Sequence, residues 1–190
     1  MNIRASAITI AALLLVVSLH SATPAQHRDH LTPQEVELIK DTQVLDKRIE
    51  VFIKAAERRV LVLTGTADPN AKQTKKDSEK WGELPTGGPS ELVSDVARIL
   101  DEAITNIDDV SSRDEKNPLI PKALRRLAAA ATRIVDQVKP FAAKAESVSE
   151  TNSFDQLIEN AEAIAQAASK LPPEVAKKSK GKEEKPKTTN

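Results

Sequence analysis

The sequence predicts an all-α protein in which four amphipathic helices form a bundle. Four separate segments place apolar residues in steps of three and four, which is the spacing of one helix face. Glycine is rare, with 5 residues, and alanine is common, which favours helix. No segment alternates as a strand does. Four helices with one apolar stripe each bury those stripes against one another, and a four-helix bundle is the simplest arrangement that does so.

The first helix is predicted over residues 33–64. Thr32 is a suitable N-cap, Pro33 lies at the first helical position, and Glu35 completes a capping box. Gly65 can adopt the left-handed conformation that ends a helix. The apolar stripe has a single gap, at Thr42. Its members are Leu38, Leu45, Ile49, Phe52, Ala56, Val60 and Leu63.

Residues 65–88 are predicted to form a long flexible linker. The segment has no apolar period and is rich in Gly, Pro, Lys and Asp. Trp81 is its one large apolar side chain. We expect this side chain to dock on the bundle and hold the linker against the core, and a ligand-binding role is the alternative.

Two further helices are predicted over residues 89–110 and 118–148. Apolar residues recur in each without a break, over four heptads in the second. Pro140 lies inside the second of these helices but off its apolar stripe. It removes one backbone hydrogen bond, so we expect a kink at this position rather than an end.

The fourth helix is predicted over residues 153–171. Ser153 is its expected N-cap, and Pro172-Pro173 end it. Residues 172–190 are Lys-rich and lack an apolar period, so we expect a solvated, disordered tail.

Charge is distributed unevenly among the predicted helices. Residues 89–117 and the fourth helix are acidic, whereas residues 118–148 are basic. We therefore expect the basic helix to lie between the two acidic ones as an antiparallel neighbour. Exposed ion pairs contribute only about 0.2–1 kcal/mol each, so this concerns arrangement and not stability.

The N-terminus has the pattern of a secretory signal peptide. Arg4 precedes an uncharged apolar run over residues 5–19, which is shorter than the roughly 20 residues of a membrane-spanning helix. Cleavage after Ala25 would leave Gln26 as the first residue. Cleavage after Ala22 and an uncleaved anchor are the alternatives. We expect export to the periplasm or the cell exterior.

The predicted organisation follows from these segments. It comprises a signal peptide over 1–25, a polar arm over 26–31, the helical domain over 32–171 and the tail over 172–190. The chain has no cysteine, so the domain must be held together by its core without disulfides.

Composition and patterning disfavour several functional classes. The net charge is zero and aromatic residues make up 2% of the chain, which is a poor basis for binding nucleic acid. The four apolar stripes hold no Asp, Glu, His or Lys, so we expect neither a buried catalytic or metal site nor enzymatic activity. No haem-attachment or phosphate-binding motif is present, and we predict no cofactor.

The only candidate metal ligands are His27 and His30, which follow the predicted new N-terminus. An α-amine together with imidazoles can bind copper or zinc. The alternative is a polar arm that contains histidine without using it.

The leading functional hypothesis is an exported, non-enzymatic bundle that acts through protein–protein contacts or self-association. The first alternative is a bundle that binds lipid, a membrane surface or an apolar ligand, for which residues 60–63 could form a contact patch. The second is an enzyme with a surface site near Trp81.

Overall fold

The computed structural model describes residues 29–66 and 72–173, and the side chains of residues 72–75 are not described. Within these ranges all regular structure is helical, which confirms the predicted all-α bundle. The predicted signal peptide with its cleavage site at Ala25 and Gln26, the candidate ligand His27 and residues 174–190 lie outside the described residues. The helices are α1 Pro33–Asp41, α2 Leu45–Leu63, α3 Lys72–Trp81, α4 Pro89–Arg113, α5 Leu119–Ala142 and α6 Val148–Ser169.

The single helix predicted over 33–64 is wrong, because the chain breaks between Asp41 and Leu45. Thr42 is the C-cap of α1, and its Oγ1 donates to the Leu38 carbonyl at 2.7 Å. Arg48 Nε donates to the Thr42 carbonyl at 2.7 Å, which gives that carbonyl a partner outside the helix. The break coincides with the gap in the apolar stripe. It frees α1 to pack on α2 and α3 instead of extending α2.

The flexible linker predicted over 65–88 is also wrong, since it contains α3. This helix ends at Trp81, and Gly82 follows in the left-handed conformation with φ 68°. The Trp81 side chain is only 7% exposed, so the predicted docking on the bundle is confirmed.

The last two helix boundaries differ from the predicted ones. α5 ends at Ala142, because Pro140 lies in its last turn and marks an end rather than a kink. α6 begins five residues earlier than predicted. Ser147 is its N-cap and accepts from the Glu150 backbone N–H at 3.1 Å, while Ser153 donates to a carbonyl inside the helix.

The four long helices form a bundle with the cyclic order α2, α4, α6, α5. Each helix contacts its two neighbours in this order, and α4 also meets α5 across the diagonal. Among the described residues, α2 and α6 share no contact. The α4–α5 connection therefore crosses the end of the bundle, and the α2/α5 side lies opposite the α4/α6 side.

Both of these opposite sides consist of parallel helices. The α2–α5 ion pairs join Asp46 to Lys122 and Glu57 to Arg133. Residue numbers increase together in these pairs, at a constant offset of 76. On the other side, Asn160 donates to the Ala97 carbonyl at 3.0 Å, and Ser153 contacts Ser90 at 3.1 Å, both at an offset of 63.

The placement expected for the basic helix is wrong in part. α5 adjoins the acidic α6, but it meets the acidic α4 only across the diagonal. Its cations pair instead with carboxylates of α2, including Glu50 with Arg126. Parallel register explains the difference, because it aligns acidic positions of α2 with basic positions of α5 turn by turn.

The core lies between the four long helices and is largely aliphatic. Ile49, Phe52, Leu100, Leu127 and Leu157 are fully buried there. None of the helices in the described part of the chain is long and apolar enough to cross a membrane.

Candidate functional site

Five charged side chains are buried, although the predicted apolar stripes hold no Asp, Glu, His or Lys. They are Glu35, Asp46, Arg58, Arg59 and Asp95. A buried charge is costly unless an opposite charge and hydrogen bonds compensate it. The partners of each group therefore decide whether it stabilises the fold or is available for chemistry.

Glu35 is the centre of a buried ionic cluster where α1 meets α2. Its Oε1 accepts from Arg59 Nη1 at 2.6 Å and from Arg58 Nη1 at 3.1 Å. Its Oε2 accepts from the Thr32 backbone N–H at 2.9 Å, as the predicted capping box requires. One carboxylate thus caps α1 and forms ion pairs with two arginines of α2, so it fixes α1 on the bundle.

Arg58 connects the same carboxylate to the turn after α3. It donates to the backbone carbonyls of Trp81 at 2.7 Å and Gly82 at 3.0 Å, and to that of Glu83. Its guanidinium lies 5.8 Å from the centre of the Trp81 ring, within the range of a cation–π contact. Burial lowers the pKa of Arg58, and the charge of Glu35 opposes that shift. The side chain holds the α3 turn against α2.

Arg59 extends the cluster towards α4. It donates to the carbonyls of Ala55 at 2.8 Å and His30 at 2.7 Å. Its Nε has no hydrogen-bond acceptor among the described residues and lies 4.0 Å from Asp95 Oδ2. The cluster therefore links the N-terminal segment, α1, α2, α4 and the α3 turn, and its contacts are those of a structural clamp.

His30, the candidate metal ligand within the described residues, is paired with a carboxylate. Its Nε2 lies 2.8 Å from Glu102 Oε2 on α4, and the side chain is 27% exposed. In the described part of the chain, no group of three or more His, Cys, Asp or Glu residues is arranged to hold a metal. The ring is thus placed to fasten the segment before α1 to α4.

An open groove of about 660 Å³ runs between the parallel helices α2 and α5. Its charged lining consists of Glu50, Lys54, Glu57, Lys122, Arg125, Arg126 and Arg133. Arg133 pairs with Glu57 at 3.3 Å, and Lys54 pairs with Asp77 of α3 at 2.9 Å. Of the five cations in the lining, four are paired with carboxylates of α2 or α3. Arg125 is the lining cation without a carboxylate partner among the described residues, so it is the one most available to an external anionic group.

Lys122, which lines this groove, pairs with Asp46 of α2. The Asp46 side chain is 4% exposed, whereas that of Lys122 is 53% exposed. The hydrogen bond from Lys122 lowers the pKa of Asp46, and burial opposes the shift. The ammonium keeps this buried carboxylate ionised and joins α2 to α5.

Charge is segregated across the whole bundle, well beyond the groove. Among side chains that are not buried, α2 and α5 carry eight cations and three carboxylates, whereas α4 and α6 carry nine carboxylates and two arginines. The carboxylates of α4 and α6 are Glu91, Asp101, Glu102, Asp108, Asp109, Glu150, Asp155, Glu159 and Glu162. We call the α2/α5 pair the basic side and the α4/α6 pair the acidic side.

Comparison with protein-family models, curated proteins and solved structures finds no match to this chain.

Apolar surfaces are less developed than the charged ones. A recess of about 190 Å³ lies between α5 and α6, and one of about 120 Å³ lies between α4 and α6. Both are smaller than the roughly 300–1,000 Å³ that is usual for a small-molecule pocket. In the apolar patch predicted at residues 60–63, Val60 is buried and the following three residues are half-buried.

Sequence reasoning missed the ionic cluster because its members flank the apolar stripe. The Arg58-Arg59 pair directly follows the buried Ala55-Ala56 pair and a glutamate. Arg59 lies three positions after Ala56 and four after Ala55, so it shares a helix face with these two buried residues. This position beside two small residues was the feature of the sequence that indicated a buried arginine.

Proposed function

We propose that this chain is an exported, non-enzymatic binding protein that acts through contacts with protein, either further copies of itself or another partner. The observation that carries the proposal is the segregation of charge onto the basic and acidic sides of one bundle. Complementary charge distributions guide association and determine partner orientation more than they determine affinity. The cluster around Glu35 joins α2 of the basic side to α4 of the acidic side through Arg59 and Asp95.

The binding role is favoured over the alternatives by where the charged groups lie. The buried groups hold helices together, while the exposed cations are concentrated on α2 and α5 and the exposed carboxylates on α4 and α6. The recesses of about 190 and 120 Å³ offer little room for a lipid or another apolar ligand. Export is proposed on the strength of the N-terminal sequence pattern, and it would place these surfaces in the periplasm or outside the cell.

Crosslinking in the native source, followed by mass measurement, tests the proposal. We expect a polypeptide that begins at Gln26 and a crosslinked species heavier than the single chain. A product that keeps its first 25 residues would contradict cleavage after Ala25. A chain that is strictly monomeric, with no crosslinked partner in its native compartment, would contradict the binding role.

Flotation with anionic liposomes at low salt separates this proposal from membrane binding. We expect the chain to stay with the soluble fraction. Cofloatation that survives reversal of the basic charges would favour the lipid-binding alternative.

A further inference from the structure

We propose that the occupant of the basic side is the acidic side of a second copy of this chain. The inference rests on the proposed binding function and narrows it to one partner and one orientation. Its basis is that the two sides are complementary in charge and are built alike, each from two parallel helices.

The dimensions of the two sides match. α2 has 19 residues and α4, α5 and α6 have 22 to 25, so the sides are about 28–38 Å long. Two helices packed 8–10 Å apart make each side roughly 20 Å wide. Contact over most of one side would bury about 600 Å² on each copy. That is at the lower end of specific interfaces, so we expect reversible association.

The charges available for this contact are exposed on both sides. On the basic side, Arg133 is 59% exposed although it contacts Glu57. Arg125 bonds only to a carbonyl among the described residues, so its charge is not neutralised by a carboxylate there. On the acidic side, Asp101 and Glu159 are exposed and take part in no ion pair within the described ranges.

The geometry makes the contact head-to-tail. The basic and acidic sides lie on opposite faces of the bundle, so a two-fold dimer that uses the basic side of both copies would place cations against cations. A heterologous contact instead leaves one basic and one acidic side free at the two ends. The assembly therefore grows by addition of further copies, unless its rotation closes a ring.

The net charge of the chain favours this mode of association near neutral pH. The formal net charge is zero and the isoelectric point is about 6.9. Copies therefore have no overall repulsion at the pH where both sides are fully charged. Screening shortens the range of the attraction from about 30 Å at 0.01 M salt to about 8 Å at 0.15 M, so the association weakens with salt.

Charge-reversal variants of the full chain test the inference. The basic-side variant is Arg125→Glu with Arg133→Glu, and the acidic-side variant is Asp101→Lys with Glu159→Lys. A matched control, Lys40→Glu with Lys144→Glu, makes the same change in net charge as the basic-side variant but lies in α1 and after α5. Circular dichroism checks that each variant is folded, and analytical ultracentrifugation measures association at low salt.

We expect the wild type and the control to form species larger than a dimer as concentration rises. Each side variant alone should associate at least about tenfold more weakly. An equimolar mixture of the two side variants should recover association, because the reversed basic side then faces the reversed acidic side.

Three outcomes would overturn the inference. They are a wild type that stays monomeric at low salt, a species that stops at a dimer, and a mixture of the two variants that does not associate. Assembly that is insensitive to both variants would refute the inference and leave the broader binding function standing. A monomer with a different crosslinked protein would do the same.

Discussion

Replacement of Glu35 by glutamine is the most direct test of the clamp. The carboxylate is fully buried and accepts three hydrogen bonds, two from guanidinium groups and one from the Thr32 backbone N–H. The amide has similar shape, but it removes the charge and turns one acceptor into a donor. Removing one partner of a buried ion pair costs about 3–5 kcal/mol, because the other charge remains buried without compensation.

That cost is a large share of the 5–15 kcal/mol typical of a domain. We expect Glu35→Gln to lower the free energy of unfolding by about 3–5 kcal/mol in urea titrations, with little change in the denaturant slope. The matched control is Glu37→Gln. Glu37 is exposed and pairs with Lys40 at 2.9 Å on the same helix, so its loss should cost below about 0.5 kcal/mol.

A double-mutant cycle with Arg59→Met separates the ionic contact from general damage. Removal of Arg59 as well as the Glu35 charge eliminates one of the two arginines that lose their hydrogen-bonded carboxylate. The double variant should therefore lose less stability than the sum of the single variants, by more than about 1 kcal/mol. Additive losses, or a Glu35→Gln variant within about 0.5 kcal/mol of the wild type, would refute the clamp.

Three further variants probe other parts of the structure. Arg58→Met should shift the fluorescence emission of Trp81, the sole tryptophan, to longer wavelength, because the α3 turn loses its hydrogen bonds from the guanidinium to the backbone carbonyls. The far-ultraviolet circular dichroism should stay near that of the wild type. Unchanged emission would show that the turn docks without Arg58. The pKa of Asp46 is lowered in the folded state by its hydrogen bond with Lys122. The paired carboxylate therefore stabilises the fold above about pH 4, the pKa of an aspartate in the unfolded chain, and this contribution is lost as the pH falls through the lower pKa of the folded state. The difference in unfolding free energy between wild type and Asp46→Asn should therefore be constant near neutral pH and narrow as the pH falls below about 4, and a difference that does not narrow in acid would contradict the pairing. Gly82→Ala and Gly65→Ala should each lower the free energy of unfolding by about 1–2 kcal/mol in thermal or urea unfolding, because both glycines have positive φ. Gly82→Ala should cost at least as much as Gly65→Ala, since its new Cβ would lie 3.4 Å from the Gln34 side chain. A neutral effect at either position would contradict the left-handed backbone there.

The regular parts of the fold were predictable because they depend on local spacing. Apolar residues in steps of three and four located the four long helices, and the isolated Trp81 indicated a docked segment. The break at Thr42 was not predicted, since neither glycine nor proline marks it and the capping partner Arg48 lies in the following helix. α3 was missed because it is polar along most of its length, so no apolar period identifies it.

The candidate surfaces were only half predictable. The charge of each helix follows from its own residues, but which helices are neighbours depends on packing across the bundle. The parallel register of α2 and α5 aligns Asp46 with Lys122 and Glu57 with Arg133. These ion pairs hold the basic helix α5 beside α2. Glu35 was recognised as a capping residue, but its second role depends on Arg58 and Arg59, which are more than twenty positions away.

The order of the helices around the bundle also bears on how the chain folds. α5 and α6 are consecutive in the chain, and residues as near in sequence as Val135 and Ile158 line the recess between them. The α2–α5 contacts join residues that are 76 positions apart. The entropic cost of closing a loop grows as three-halves of RT times the logarithm of the number of residues in it. Bringing α2 onto α5 is therefore about 1 kcal/mol more costly in chain entropy than bringing α5 onto α6. We therefore expect the α5–α6 hairpin to form early, and the seam between α2 and α5 to close last and to open first when the protein unfolds.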